Sequence, residues 1–196
     1  MKRFVSIVIL CALIPLWAGC ASTTPSKFYT LSATAEPGGG KASYSVAVGS
    51  VAVPAVVDRP QMVVRVGPNE VAIDEFNRWA SPLQNDIARV VAENLAKNLG
   101  TPLVDVFPHS TGFSPAFRVG IDVLRFESTP GKNATLDAIW TVRCTKDGRS
   151  RSGRAMVSEP VADGSYAALV AAHSRALGRL SDEVAGAIRA LESGGP

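Results

Sequence analysis

Cys20 is the residue whose type and position point most directly to chemistry. Two basic residues at 2–3 open the chain, an apolar run follows over 4–17, and two small residues at 18–19 stand directly before the cysteine. A basic start, a short apolar run and small residues before a cleavage site are typical of a secretory signal peptide. The apolar run is shorter than the roughly 20 residues that a membrane-spanning helix needs. Cleavage before Cys20 would place it at the new N-terminus, where it can be acylated.

The residues before Cys20 resemble a bacterial lipobox, in which a large aliphatic residue and two small ones precede the lipidated cysteine. Trp17 stands where leucine is usual. The alternative is cleavage after Ala21, which also satisfies a small-x-small rule and would give a soluble exported protein. We favour acylation, which divides the N-terminus into a signal peptide at 1–19 and a lipidated tether at 20–27.

Removal of the signal peptide changes the charge balance of the chain. The full sequence has 20 basic and 17 acidic residues, and loss of Lys2 and Arg3 leaves 18 against 17, a net charge of +1. Nucleic-acid-binding proteins carry a strongly basic patch or stripe, so no nucleic-acid partner is expected. The mature chain of about 177 residues fits one domain, which we predict at 28–192, with a flexible tail at 193–196.

The cysteines give no basis for an internal disulfide. Of the three, Cys11 leaves with the signal peptide and Cys20 is acylated, so Cys144 is left alone. Exported compartments permit disulfides, but Cys144 then has no partner within the chain. It falls on the apolar side of an alternating run over 136–144, and we predict that it is buried as a small, inert hydrophobe.

Basic side chains crowd one predicted β-hairpin and are candidates for contact with phospholipid head groups or an acidic partner. They are Arg143, Lys146, Arg149, Arg151 and Arg154. The hairpin turns at Asp147-Gly148, a pair that suits the positive backbone angles of a two-residue loop. In that register Lys146 lies opposite Arg149, and like charges directly opposite each other are destabilising. The alternative is a solvated hairpin tip without a partner.

Arg78 and Trp79 are a second candidate contact with a partner, because tryptophan often anchors protein interfaces. The alternative is that Trp79 packs beneath the start of the following helix and that Arg78 pairs with a neighbouring group. Asp58 and Arg59 have the same two interpretations: contact with a partner or, as the alternative, a salt-bridged corner before Pro60.

No catalytic, cofactor-binding or metal site is predicted. The stretch 112–116 approaches a nucleophile elbow around Ser114, but the last glycine is missing and proline follows the serine. His109 lies in a predicted loop, and His173 falls on an apolar helix stripe as a satisfied, partly buried residue. No Cys/His/Asp cluster has the ligand spacing of a zinc site. The acyl chains on Cys20 are therefore the only non-protein groups expected.

The elements that position these residues follow the order strands, helix, strands, helix. Apolar alternation predicts strands at 28–31, 44–48, 62–66, 71–73, 103–107, 117–127 and 136–145. A two-residue hairpin loop would place Trp140 opposite Ala155 and Ile139 opposite Met156, with both faces buried. The element order predicts an α+β fold, a mixed and largely antiparallel sheet with two long helices packed on it, and allows two related β-α halves.

The first helix is the best-marked element. Ser81 is the predicted N-cap, Pro82 the first helical residue and Gln84 the partner that closes a capping box. Gly100 ends the helix. Its predicted apolar face consists of Leu83, Ile87, Val90, Val91, Leu95 and Leu99. The last helix, which Asp163 or Ser165 would cap, carries a second apolar stripe over 166–191.

Four stretches in order resemble the paraquat-inducible protein C family, also described as ABC-transport auxiliary lipoproteins. They are the lipobox at Cys20, Phe28-Tyr29-Thr30-Leu31, Asp58-Arg59-Pro60 and Arg78-Trp79-Ala80-Ser81-Pro82-Leu83. The hairpin from Phe117 through Trp140 is similar to the family's second half, so the resemblance covers nearly all of the mature chain. Ser81 stands where glutamate is expected.

The resemblance implies an outer-membrane lipoprotein that faces the periplasm and has no catalytic activity. Relatives work with proteins that carry mammalian-cell-entry (MCE) domains, which form conduits for phospholipid or other hydrophobic molecules between the two membranes. The implied partners are an MCE-domain protein anchored in the inner membrane and, through Cys20, the outer membrane itself; a homo-oligomer is compatible with the resemblance. Ala21, in place of aspartate, fits release to the outer membrane. The alternative function is a stand-alone periplasmic lipoprotein that binds a lipid or small ligand between helices and sheet.

Overall fold

The computed structural model describes residues 24–38, 40–107 and 114–194. The strands are β1 (Lys27–Tyr29), β2 (Val46–Ala52), β3 (Gln61–Gly67), β4 (Glu70–Trp79), β5 (Val104–Val106), β6 (Phe117–Thr129), β7 (Asn133–Cys144) and β8 (Ser150–Pro160). The helices are α1 (Leu83–Leu99), between β4 and β5, and α2 (Tyr166–Glu192). The predicted signal peptide, Cys20 and His109 lie outside the described residues.

The strands form two mixed sheets. The larger has five strands in the order β5-β2-β6-β7-β8, and the smaller has three in the order β1-β4-β3. β2 runs parallel to β5 and β6, and β1 runs parallel to β4, whereas the other neighbours are antiparallel. Both helices pack against one face of the five-stranded sheet and against each other. The predicted α+β fold is confirmed, although the strands divide between two sheets.

The core lies between the helices and the inner face of the five-stranded sheet. Every residue of the predicted α1 stripe is buried, and α2 buries its stripe from Leu169 to Leu191. The even-numbered residues of β7 face these helices, because side chains alternate along a strand. Cys144 is the last of them and is buried with a free thiol, which confirms the predicted burial.

Residues 30–38 cross the helices as an extended strap that buried polar side chains of α1 hold in place. The N–H of Leu31 donates to Asp86 Oδ2 at 2.7 Å, and the N–H groups of residues 34–35 donate to Asn94 Oδ1 at 3.0 and 2.9 Å. Asp86 and Asn94 are both buried, at 4% and 0% exposure. Buried backbone N–H groups outside a sheet need such acceptors, so these two polar residues interrupt the apolar helix face for a structural reason.

The capping box predicted at the start of α1 is wrong. Pro82 is the N-cap residue, with φ −51° and ψ 127°, and no side chain caps this helix. The Pro82 carbonyl accepts from the N–H groups of Asn85 and Asp86. The Asp86 carboxylate in the first turn interacts favourably with the positive end of the helix dipole. At the start of α2, by contrast, Ser165 Oγ accepts from the Ala168 N–H at 3.1 Å, so Ser165 is the cap.

The β7–β8 loop has four residues, 145–148, where the sequence predicted two. Cys144 pairs with Arg149 through a backbone hydrogen bond of 2.8 Å, and Lys146 lies within the loop. The predicted opposition of Lys146 and Arg149 is therefore wrong. Gly148 adopts φ 77°, a left-handed conformation that glycine accommodates without strain.

The longer loop shifts the hairpin register by two residues, which keeps every side chain on its predicted side of the sheet. Trp140 now lies opposite Gly153, where a β-carbon would come within 2.3 Å of the indole, so glycine leaves room for the ring. On the other face, Ile139 and Met156 are 42% and 64% exposed. The predicted burial of both faces is therefore wrong.

Candidate functional site

A cleft of about 440 Å³, which we call the motif cleft, is lined by residues 58–60 and 79–84. Main-chain hydrogen bonds join its walls. The N–H of Trp79 donates to the Pro60 carbonyl at 2.7 Å, and the next N–H donates to the Tyr29 carbonyl at 2.8 Å. Tyr29 also pairs with Trp79 across β1 and β4. Three stretches that are distant in the sequence, each noted above for its family resemblance, therefore meet at one place.

Trp79 forms the inner wall of the motif cleft and is 6% exposed. Its ring meets Phe126 edge-on, with ring centroids 6.2 Å apart. Edge-to-face aromatic pairs are favourable beyond their buried area. The position of Trp79 is therefore the one given by the alternative prediction, packed beneath the start of α1, and its ring does not protrude.

Arg78 points to the opposite side of β4 and lies beside Phe28 of β1. Within the described part of the chain, no hydrogen bond or ion pair reaches its side chain, and its Nε atom is buried without a partner. The predicted pairing of Arg78 with a neighbouring group is therefore wrong. Because Phe28 is 64% exposed, the outer side of β1 and β4 combines an apolar ring with an unpaired cation.

Asp58 and Arg59 are exposed at the mouth of the motif cleft. A turn holds them, in which the N–H groups of Val57 and Asp58 both donate to the Pro54 carbonyl. Across residues 24–38, 40–107 and 114–194, neither side chain forms an ion pair. The predicted salt-bridged corner is therefore wrong, and both charges face solvent.

The five basic residues of the β7–β8 hairpin divide between the loop and two faces of the sheet. Arg149 lies at the C-terminal end of α2, where its Nη2 donates to the Leu191 carbonyl at 3.0 Å, a favourable place for a cation. Its Nε contacts Asp147 Oδ2 at 2.8 Å. The Arg149 backbone N–H, followed by its guanidinium, lowers the pKa of Asp147. Arg151 lies beside a groove on the helix side, next to Trp140.

Arg143 and Arg154 project from the outer face of the five-stranded sheet, away from the helices. Arg143 lies directly opposite Arg118 of β6 and lines a shallow groove with it. Arg154 is occupied by an ion pair with Asp137. The structure therefore does not bring the basic residues together in a single patch, and their contact with head groups stays a prediction.

Asp137 is a buried charge that no sequence pattern singled out. Its carboxylate accepts from Arg154 Nε and Nη2, each at 2.8 Å, and from Arg125 Nε at 3.1 Å. The Arg154 hydrogen bonds, supported by Arg125 and opposed by desolvation, lower the pKa of Asp137 to about 2. Two arginines from neighbouring strands thus cover this carboxylate on the outer face.

His173 is fully buried, where the sequence predicted partial burial. Its Nε2 lies 2.8 Å from Ser128 Oγ, its ring stacks on Phe126 at 3.8 Å, and its Nδ1 has no partner in the described residues. The prediction of a satisfied, partly buried histidine is therefore wrong in its burial and, for Nδ1, in its hydrogen bonding. Burial lowers the pKa of His173 to about 3, so the ring is neutral and packs as part of the core.

Ser114 lies in the coil before β6, and its carbonyl accepts from Ser45 Oγ at 3.1 Å. A nucleophile elbow instead sits between a strand and a helix. The described residues contain no group of three or more His, Cys, Asp or Glu side chains that could hold a metal ion. Among them, no helix is long and apolar enough to cross a membrane.

A family model described as the ABC-type transport auxiliary lipoprotein component matches residues 29–185. No curated protein matches the chain. The fold is similar to that of a DUF330 protein from Xanthomonas campestris, with a TM-score of 0.71 and 21% identity over 86% of this chain and 99% of that chain. An uncharacterized protein has a TM-score of 0.69 and 18% identity over 84% of this chain and 99% of that chain.

A PelC dodecamer from Paraburkholderia phytofirmans is a more distant match. It has a TM-score of 0.40 and 14% identity, and the match covers 77% of this chain and 90% of that chain. That score is too low to support a shared assembly, and a homo-oligomer of this chain stays a prediction.

Proposed function

The chain belongs to the ABC-type transport auxiliary lipoprotein family, and from this premise we propose that it is a non-catalytic accessory component of an intermembrane lipid-transport system. Acyl chains on Cys20 hold it at the periplasmic face of the outer membrane. The folded body docks on an MCE-domain protein that is anchored in the inner membrane and forms the conduit.

The motif cleft is the observation that carries this proposal. Its volume lies within the range of roughly 300–1,000 Å³ that is typical of small-molecule pockets. Pro60, Pro82 and Leu83 join Trp79 in giving it an apolar lining, and the charges of Asp58 and Arg59 stand at its mouth. None of the lining residues forms a nucleophile–base pair of the kind that covalent catalysis needs. An apolar cleft with charges at its rim suits the binding of a partner segment.

Native mass spectrometry of the full-length protein, expressed from its own operon and extracted in mild detergent, tests the proposal. We expect a triacylated Cys20 and a complex with a larger MCE-domain protein, and the mass of the complex gives the copy number. An unmodified chain that begins after residue 21 would overturn the lipid anchor and the outer-membrane role that depends on it.

A matched pair of charge reversals tests the cleft itself. Arg59→Glu changes the mouth of the cleft, whereas Arg179→Glu makes the same change on α2, at a side chain that is 68% exposed. We expect Arg59→Glu to reduce the co-purified partner by about tenfold, which corresponds to about 1.4 kcal/mol of binding free energy. Arg179→Glu should leave recovery unchanged. Equal recovery with both variants would place the partner elsewhere.

The alternative function is a stand-alone periplasmic lipoprotein that binds a lipid or small ligand. The apolar lining of the motif cleft favours this alternative over any enzymatic role. It predicts that extraction recovers a lipid in fixed ratio to the protein without a protein partner. Mass spectrometry of the same preparation distinguishes the two functions.

A further inference from the structure

We infer that one face of the three-stranded sheet contacts the surface of the lipid bilayer that holds the acyl chains of Cys20. This face, which we call the outer sheet face, consists of Phe28, Gln61, Arg65, Val71, Ile73 and Arg78. The inference rests on the proposed lipid anchor and adds to it the surface and orientation with which the folded body meets the membrane.

The register of the sheet places these side chains together. Phe28 pairs with Arg78, and Arg78 pairs with Gln61. Along β3, every second residue after Gln61 lies on the same side, and its partners on β4 are Ile73 and Val71. A register shift between Gln61 and Met62 brings Arg78 of β4 to the same side as Ile73. On the other side, Met62, Val64 and Trp79 are buried against the core. The sheet is therefore covered on that side except near the hairpin, where Val66 is exposed.

The open face carries more apolar surface than a solvated sheet face needs. Phe28 is 64% exposed, Val71 45% and Ile73 44%. Soluble proteins seldom expose contiguous apolar patches unless the patch contacts a partner or a membrane. Single exposed apolar residues are ordinary, but here three of them share one side of two adjacent strands, β1 and β4.

The length of the tether identifies the occupant as the membrane. Seven peptide units join Cys20 to Lys27, and at a maximum of about 3.6 Å each they span about 25 Å. β1 is parallel to β4, so the chain enters β1 from the end at which β4 leaves the β3–β4 hairpin. The acylated residue therefore approaches from the side of Val71 and Ile73, and the bilayer is held within reach of them.

The charges on this side suit a phospholipid surface. Arg78 lies beside Phe28 with no ion pair among the described residues. Such a cation can donate to head-group phosphates while an adjacent apolar ring enters the interface. The other charges are already engaged: Arg65 pairs with Glu127 at 3.1 Å, and Glu75 accepts from Gln61 at 3.2 Å. Glu70 is exposed at the hairpin.

Fluorescence at two engineered cysteines tests the inference. Ile73→Cys lies on the outer sheet face, and Met156→Cys is an equally apolar position, 64% exposed, on the five-stranded sheet. Full-length acylated protein, labelled at each site with an environment-sensitive dye, is inserted in vesicles of phosphatidylethanolamine and phosphatidylglycerol, with and without brominated acyl chains. Cys144 is buried, and unsubstituted protein reports any label that it takes up.

We expect a blue-shifted emission and bromine quenching at position 73, and neither effect at position 156. Equal quenching at both positions, or none at either, in protein whose intact mass shows the acyl chains would overturn the membrane-facing sheet and leave the lipid anchor standing. An intact mass without acyl chains would overturn the anchor and this inference together. Intact mass therefore separates the two failures.

Discussion

The chain contains two β-α units that have the same order of elements and different sheet pairing. The first runs from β2 through the β3–β4 hairpin to α1, and the second runs from β6 through β7 and β8 to α2. In the second unit all three strands are neighbours in the five-stranded sheet. In the first, β2 stays in that sheet, whereas β3 and β4 leave it to pair with β1. The two halves that the sequence allowed are therefore related in the order of their elements and differ in strand pairing.

The position of β2 explains the difference. β5 pairs with one edge of β2 and β6 with the other, so no edge remains for β3. The link 53–60 between β2 and β3 also contains Pro54 and Pro60, which cannot donate to a strand ladder. The hairpin is therefore displaced, and its displacement creates both the motif cleft and the outer sheet face.

The outer faces of the two sheets differ in how they are covered. On the five-stranded sheet, Arg125 and Arg154 cover the buried carboxylate of Asp137. On the three-stranded sheet, Phe28 and Ile73 are exposed and Arg78 has no ion pair among the described residues. Both faces keep exposed apolar side chains, and Ile139 and Met156 are those of the five-stranded sheet. The faces differ in their charges: the arginines beside Asp137 are paired, whereas Arg78 has no ion pair among the described residues.

The largest change in stability is expected on substitution of Trp79 and Trp140, one in each unit. Trp79→Ala removes a buried ring from the displaced hairpin, and Trp140→Ala removes one from the five-stranded sheet. Each should lower the free energy of unfolding by about 3–5 kcal/mol, because large-to-small core substitutions leave cavities. Denaturant unfolding measures the loss.

Hydrogen exchange distinguishes the two variants. Trp79→Ala should speed exchange in β1, β3 and β4 and leave β6–β8 protected, because local openings follow cooperative units. Trp140→Ala should speed exchange across β7 and β8. If Trp79→Ala loosened both sheets equally, the displaced hairpin would not be a separate unit.

Asp137→Asn should have an intermediate effect, confined to the outer face of the five-stranded sheet. We expect a loss of about 1–3 kcal/mol near neutral pH, because the arginines lose charge-assisted hydrogen bonds. The pKa of Asp137 is lowered in the folded state to about 2, from an ordinary value of 3.8. Its contribution to stability is therefore complete above the unfolded value and is lost as the pH falls toward 2.

Thermal unfolding between neutral pH and pH 2 measures this dependence. The difference in stability between the unsubstituted protein and Asp137→Asn should shrink as the pH falls through this window. Asp122→Asn, an exposed carboxylate on the same outer face, is the control and should change stability little. A difference that is independent of pH would mean that the carboxylate charge does not stabilise the folded state.

Residues in regular patterns could be placed from the sequence, and residues that serve distant segments could not. The apolar stripe from Leu83 to Leu99 and the burial of Cys144 follow from local periodicity. Asp86 and Asn94 interrupt that stripe, and this interruption was the one sequence signal that polar contacts to the strap exist. The N–H groups that donate to them lie about 55–60 residues away in the sequence. No local pattern specifies that contact.

The motif cleft was predictable only in part, for the same reason. Each of its stretches could be noted from the sequence, but their meeting depends on β1 pairing with β4 and on the Pro60 carbonyl. The turn of the β7–β8 hairpin was also missed, because Asp147-Gly148 fits a two-residue loop and occurs here in a four-residue one. Loop length sets register, so that one error moved every predicted cross-strand pair.

The smallest predicted effect concerns the serines before the two helices, since only one of them is a cap. Ser165→Ala removes the oxygen that accepts from the Ala168 N–H and should cost about 1 kcal/mol. Ser81→Ala should cost much less, because Pro82 occupies the N-cap of α1 and no side chain bonds to that helix end. Equal losses in denaturant unfolding would show that Ser81 does cap α1. A loss confined to Ser165→Ala would leave Ser81 as a residue of the motif cleft, free to be varied in binding experiments without loss of the fold.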